Sequence, residues 1–188
     1  HAATFVRQTL WQDGRLLATY KDGEARLPAY LDDHAFMIDA LLALLEVRWS
    51  RDDVDFAVAL AERLLDGFLD RERGGFYFTA NDHESLFHRP KPFGDDALPA
   101  GNGVAASALS RLGHLLGEPR YLNAAEDTVK AAWPLLSQAP MGHEAMLDAL
   151  EEQLQPAPQL ILRADDDTAR QWRAALRDAQ IDCPIYAI

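Results

Sequence analysis

One pattern constrains this chain more than any other, and it occurs twice: a helix apolar almost all round, followed at once by a helix with a single apolar stripe. Residues 34–48 begin His34-Ala35-Phe36-Met37-Ile38-Asp39-Ala40-Leu41-Leu42-Ala43-Leu44-Leu45, as expected of a helix buried between two layers. Ser50-Arg51-Asp52-Asp53 then offers a serine oxygen to a free backbone N–H, with a carboxylate three residues on, and starts a second helix. In that helix Val54, Ala57, Val58, Ala61, Leu64, Leu65 and Phe68 recur at helical spacing, with Asp55, Glu62, Arg63 and Asp66 opposite. The pair returns further on. Gly103 to Leu116 is again nearly uniformly apolar and closes on Gly117, suited to a left-handed cap. Pro119 fits the first turn of the next helix, whose stripe is Tyr121, Ala125, Val129, Ala132 and Trp133. Inner helices thus alternate with outer ones.

Short strands are expected around these pairs. Arg15 to Tyr20, a turn at Lys21-Asp22-Gly23-Glu24, and Ala25 to Leu27 read as a β-hairpin. Gly74-Gly75-Phe76-Tyr77-Phe78-Thr79, the turn-like Asn81-Asp82-His83-Glu84 and Ser85-Leu86-Phe87-His88 read as another, on the rim. After Pro140 a short amphipathic segment (Met146, Leu147, Leu150, Leu154) reaches the breaker Gln155-Pro156-Ala157-Pro158. Beyond it Gln159 to Leu162, Ala169 to Asp178 behind Asp165-Asp166-Asp167, and Ile181 to Ile188 form a strand-helix-strand unit, parallel if its crossover has the usual hand. No glycine-rich phosphate loop follows its first strand, so it is not read as a nucleotide site. The expected division is 1–155 and 156–188.

Composition narrows the function classes. A chain of 188 residues with 48% apolar content can bury one real core. Its formal net charge of −12 argues against nucleic acid and anionic membrane surfaces as partners. Without a bilayer-length apolar run or a basic-then-apolar leader, the protein is read as soluble and cytoplasmic. The single cysteine, Cys183, excludes an internal disulfide and a thiolate metal cage, and reads as a small buried hydrophobe. Six scattered histidines with no i, i+4 pair, and an acidic run without calcium-loop spacing, give no metal site and no cofactor. No Gly-x-Ser-x-Gly occurs for a serine nucleophile. The start at His1 without an initiator methionine suggests an excised piece or processed product.

The polar residues that carry chemistry cluster at helix ends: Tyr30-Leu31-Asp32-Asp33-His34, Phe87-His88-Arg89-Pro90-Lys91, and Asp95-Asp96-Ala97-Leu98-Pro99-Ala100-Gly101-Asn102. They either face solvent at turns or converge in one cleft. Together with Gly74 to Thr79, and in this order, these segments resemble the C-terminal half of the thioredoxin-domain proteins related to spermatogenesis-associated protein. In that family a thioredoxin-like domain precedes a toroid of helical hairpins similar to six-hairpin glycosidases and N-acylglucosamine epimerases. The family tends to have Ser where Ala100 stands here. The resemblance implies a mainly α chain, a partial (α/α) helical-hairpin toroid with short β-hairpins and the small C-terminal unit. It also implies a carbohydrate ligand, a thioredoxin-like domain as partner, and a parent protein of glycosidase or sugar-epimerase type. A fragment of such a ring is expected to be inactive. The rival reading is a non-catalytic scaffold serving the thioredoxin-like domain.

Each candidate has a plainer role beside its chemical one. Asp32 and Asp33 precede an inner helix, where carboxylates accept free N–H groups and favour the positive dipole end. Paired carboxylates are also what glycoside chemistry requires, so Asp33, Asp95 and Asp96 are acid/base candidates. His88 can transfer a proton near neutral pH, and Arg89 can hold substrate in a planar fork. An epimerase needs two bases on opposite faces, for which His34 and His88 are the one histidine pair. Tyr30, Asp32, Lys91 and Asn102 complete the expected binding set. The structural alternatives are that Arg89 and Lys91 pair with Asp32, Asp33, Asp95 or Asp96 to staple the rim, that Asn102 caps its helix, and that the tryptophans fill the core. Inner helices deprived of ring neighbours would expose apolar surface and favour a homo-oligomer.

Overall fold

The computed structural model describes residues 1–83, 87–181 and 183–188. A short helix α1 (Ala2–Phe5) passes into a π-helical turn, Val6–Leu10, and then into an antiparallel sheet of β1 (Trp11–Gln12), β2 (Arg15–Lys21) and β3 (Glu24–Pro28). The β2–β3 hairpin turns at Asp22 and Gly23, whose φ of 53° and 85° form a two-residue loop that matches strand twist.

The helices follow in the expected alternation. Inner α2 (Leu31–Val47) is backed by outer α3 (Arg51–Gly67), and inner α4 (Gly101–Leu116) by outer α5 (Pro119–Leu136). Helix α6 (Glu144–Leu154) packs on α4 and α5, so the segment anticipated only as amphipathic is a third inner helix. Ile38, Leu41, Leu42 and Leu45 of α2 meet Ala105, Ala106, Ala108, Leu109 and Leu112 of α4 in a core shared with Leu60 and Leu64 of α3 and Val129 and Ala132 of α5. The alanines of α4 let it touch α2, α5 and α6 at once. Ser50 Oγ accepts the Asp53 N–H at 3.3 Å, and Gly117 closes α4 at φ 66°.

The C-terminal unit is β4 (Leu160–Leu162), α7 (Asp166–Asp178) and β5 (Ile185–Ala187), with β4 and β5 parallel. Its second strand is shorter than its apolar sequence suggests. The unit is anchored where Tyr186, fully buried, meets the edge of Trp49.

Three local expectations are corrected. The rim segment 74–79 is not a β-hairpin among the described residues: it makes one isolated bridge, Leu69 with Phe76, while Glu84, Ser85 and Leu86 lie outside them. Its backbone groups are shared among unrelated partners. Tyr77 N–H goes to Phe68 O at 2.8 Å, Phe78 N–H to Pro90 O at 2.8 Å, and Phe78 O receives Leu31 N–H at 3.0 Å. No ladder can form from groups so divided. Trp133 and Trp172 are not core residues, being 55% and 52% exposed. Trp133 lies about 120° round the helix from Tyr121 at helical spacing, and Leu136 takes the buried place.

Candidate active-site cleft

The inner helices begin together. Helix α2 approaches α4 so closely that a Cβ at Gly101 would stand 2.0 Å from Asp32 Oδ1, and one at Gly103 would meet the backbone of Ala145 in α6 at 2.6 Å. At Gly103 the neighbour is backbone and glycine is required, whereas at Gly101 a side chain would have to displace the Asp32 carboxylate. Asp95 completes the join: Oδ1 accepts Ala100 N–H at 2.7 Å and Oδ2 accepts Ala145 N–H at 3.0 Å, so one carboxylate serves the N-termini of two helices. Three positive dipole ends thus lie beside Asp32, Asp33, Asp95 and Glu144, a physical reason for acids at this edge.

The carboxyls here are displaced in opposite directions. Burial, then the nearby Asp33 charge, raises the Asp32 carboxyl above its usual range, and its Oδ1 is buried without a hydrogen-bond partner. Burial acts on Asp95 in the same sense. There it is outweighed by the Ala100 and Ala145 N–H groups and by hydrogen bonds from Glu144, which hold Asp95 below the usual range. Asp33 Oδ2 accepts Tyr30 N–H at 2.8 Å, so Asp33 lies inside the first turn of α2 and turns back to cap it. Tyr30 stacks on Phe78 with centroids 4.7 Å apart.

From this edge a cleft of about 490 Å³ runs along the inner helices. Asp39 of α2, Ser107 and Arg111 of α4, and Asp148 and Glu152 of α6 line it, together with Leu98 and Pro99. Counting Asp95, Asp96 and Glu144, it holds six carboxylates and one guanidinium. Arg111 pairs with Asp39 across α4 and α2. Asp96 is exposed, its N–H closing a turn on Leu98 O at 3.1 Å.

The remaining candidates belong to a rim clasp. Asn102, 0% exposed, accepts Phe76 N–H at 2.7 Å and donates to Phe76 O at 2.9 Å and Pro92 O at 2.7 Å. It does not cap α4; Ala100 holds the cap position, and Asp95 supplies the acceptor. Arg89 lies over the Tyr77 ring, 4.2 Å from its centroid, and donates to Thr79 O and Gly67 O, each at 3.2 Å. Lys91 pairs with Asp70 at 2.8 Å and donates to Gly74 O at 2.7 Å. The rim staple therefore exists, but its carboxylate is Asp70 and not Asp32, Asp33, Asp95 or Asp96. Burial raises Asp70, but Lys91, the Arg73 and Glu72 N–H groups and Tyr77 Oη hold it far below the usual range.

The two histidines do not form a facing pair of bases. His88 is exposed. His34 is 1% exposed, its Nδ1 is 2.7 Å from Tyr30 O, and burial pushes it down to about 4, leaving a neutral ring against Phe68. Asp39, Asp70, Arg111, Asp148 and Glu152 escaped the sequence reading. For Asp39 and Arg111 a signal was present: each is an isolated full charge on an otherwise apolar inner helix, and a charge there needs a partner or a cleft.

Inner and outer helices in this order define a segment of an (α/α) toroid, and the cleft is its concave face. Cellobiose 2-epimerase from Spirochaeta thermophila DSM 6192 has this fold: the superposition has a TM-score of 0.60 and 20% identity, and covers 94% of this chain and 51% of that one. The chain's homologues, at a distance, are spermatogenesis-associated protein 20: 28% identity with the Rattus norvegicus protein over 149 residues, and 27% with the Homo sapiens protein over 176. These matches take in 79% and 88% of the chain but 19% and 22% of the relatives, about a fifth of their length. No family model matches the chain. Among the described residues, no helix is long and apolar enough to cross a membrane.

Proposed function

We propose that the concave face is a saccharide-binding cleft, and that this chain is part of the toroid of a carbohydrate-active, thioredoxin-domain protein of epimerase or glycosidase type. The observation that carries this reading is the acidic cleft itself, with Asp95 in its lining at the starts of α4 and α6 and Asp32 beside its edge in the first turn of α2. Carboxyls pushed apart by their surroundings suit one acid and one charged stabiliser. In this reading Asp32, beside the cleft's edge, donates the proton, Asp95 stays ionised, and Asp96 and Asp148 accept sugar hydroxyls, while Asp33, which does not line the cleft, caps its own helix. Leu98 and Pro99 would meet an apolar ring face. Among the described residues there are three inner helices and no facing histidine pair, and in this reading the segment alone binds without turnover.

Calorimetric titration with cellobiose tests this. Saturable binding that Asp32→Asn weakens at least tenfold is the expected result; no heat from folded protein, or binding indifferent to Asp32→Asn, would overturn it.

The scaffold reading has one observation in its favour, because Arg89, Lys91 and Asn102 are wholly engaged within the rim. It predicts capture of the thioredoxin-like domain and no response to cellobiose. Either reading is compatible with self-association, for which Val47 and Leu27, 74% and 64% exposed, are the proposed contacts. Light scattering at micromolar concentration should then give a dimeric mass or larger, and a monomeric mass would count against it.

A further inference from the structure

The lining of the concave cleft does not balance its own charge. Six carboxylates face one guanidinium, Arg111, which pairs with Asp39. Arg111 Nε is a further buried donor without a partner, but it belongs to the same cation, so five carboxylates remain in excess. Asp95 is held by the Ala100 and Ala145 N–H groups. Asp96, Glu144, Asp148 and Glu152 have no salt bridge among the described residues.

Three of these four stand on one helix, where their arrangement works against the helix itself. Glu144, Asp148 and Glu152 follow at four-residue intervals along α6, so they share a face and lie about 6 Å apart along its axis. Like charges at that spacing repel. The outer helices match the same spacing with opposite charges, Arg51 with Asp55 on α3 and Glu126 with Lys130 on α5, whereas α6 contains no lysine or arginine. Glu144 faces the positive end of the helix dipole, but Glu152 lies in the last turn, where an acid is disfavoured, and its Oε2 is buried without a hydrogen-bond partner. Carboxylates only accept, and the other lining side chains that can donate are Ser107 and Arg111. Among the described residues no three acids converge as a bound metal ion requires.

We propose that the cleft takes an amino sugar, a saccharide whose free ammonium group replaces a hydroxyl at Asp148 and Glu152. This rests on the saccharide reading of the same cleft and names the class of sugar within it. An ammonium group brings one positive charge and three donors to a wall of acceptors, and a cleft of one sign draws such a ligand in from solution. N-acylation removes the charge and with it the advantage.

The test is calorimetric titration, in weakly acidic buffer of low ionic strength, with three disaccharides of one β-1,4 skeleton: cellobiose, the disaccharide of glucosamine, and its N-acetylated form. The glucosamine disaccharide should bind at least tenfold tighter than the other two, and added salt should shrink that margin. 1,4-Diaminobutane, equally charged but without rings, should bind at least tenfold more weakly than the glucosamine disaccharide. Asp148→Asn, at an exposed position, should bring the margin below about threefold, while Asp55→Asn on the outer helix should leave it. Cellobiose binding as tightly as the glucosamine disaccharide would overturn the amino-sugar assignment and leave the saccharide reading standing; no binding of any of the three would end both. A margin that Asp148→Asn leaves intact, or diaminobutane binding as tightly as the glucosamine disaccharide, would also overturn the assignment.

Discussion

At the rim, the Asp70 carboxylate receives Lys91 Nζ, Tyr77 Oη and the N–H groups of Glu72 and Arg73. On the concave face, Asp96, Asp148 and Glu152 have no ion pair among the described residues, although they lie in the same molecule and close in sequence to helix ends. The residue types are alike, and the difference is one of backbone need. The rim is an irregular chain whose amides and carbonyls have no ladder, so its side chains stand in for one. The inner helices satisfy their own backbones, which leaves their polar side chains available to a ligand.

The comparison is broken most readily at Asn102. Asn102→Ala strands Phe76 N–H, Phe76 O and Pro92 O, and at about 1–3 kcal/mol per stranded group the expected loss is about 3–9 kcal/mol in urea unfolding. A loss below about 1 kcal/mol would mean the rim is not held as described.

A second effect comes from His34, which lies between the two regions. Its folded-state value near 4 is below the ordinary 6.5, so between these values the unfolded chain binds the proton and the native one does not. Stability from this group is complete above pH 6.5 and falls as pH drops to 4, by about 3 kcal/mol in all at 1.36 kcal/mol per unit. Asp32, raised, partly offsets the fall, whereas Asp70, lowered, adds its own loss only below its ordinary value of 3.8. Unfolding midpoints measured across this window should decline in the wild type and flatten in His34→Gln. A slope unchanged by the substitution would assign the decline elsewhere.

Smaller effects sharpen the contrast. Lys91→Met leaves the buried Asp70 with three donors and should cost about 2 kcal/mol, measured as a lower urea midpoint. On the concave face Asp148→Asn should change stability by less than about 0.5 kcal/mol while weakening cellobiose binding. An Asp148→Asn variant that unfolds early, or a Lys91→Met variant as stable as wild type, would reverse the assignments of the two regions.

Much of this architecture could be read from residues. The alternation of α2 with α3 and of α4 with α5 followed from which faces were apolar, and Ser50, Gly117 and Asp22-Gly23 marked ends and turns by local chemistry. The resemblance to a helical toroid rested on motif order, and the fold agrees with it. Partner choice was less legible. Lys91 pairs with Asp70 because the chain doubles back over 21 residues, and nothing local distinguishes Asp70 from Asp66, which stays exposed. The rim hairpin failed because aromatic, β-branched composition gives strand preference, whereas a ladder needs a partner strand, and here Asn102 occupies both polar groups of Phe76. Asn102 resembled a helix cap in sequence; burial gave it a different task. Cys183 precedes β5 instead of lying within it, and so lines a cavity and is only half-buried.

The most direct measurement is an amide-resolved NMR titration of the chain with cellobiose. If the concave face is the ligand surface and the rim is its frame, shifts will concentrate at Asp39, Asp96, Val104, Ser107 and Asp148, with Gly74, Phe76 and Asn102 unmoved. Shifts centred on the rim, or none at saturating sugar, would contradict the account.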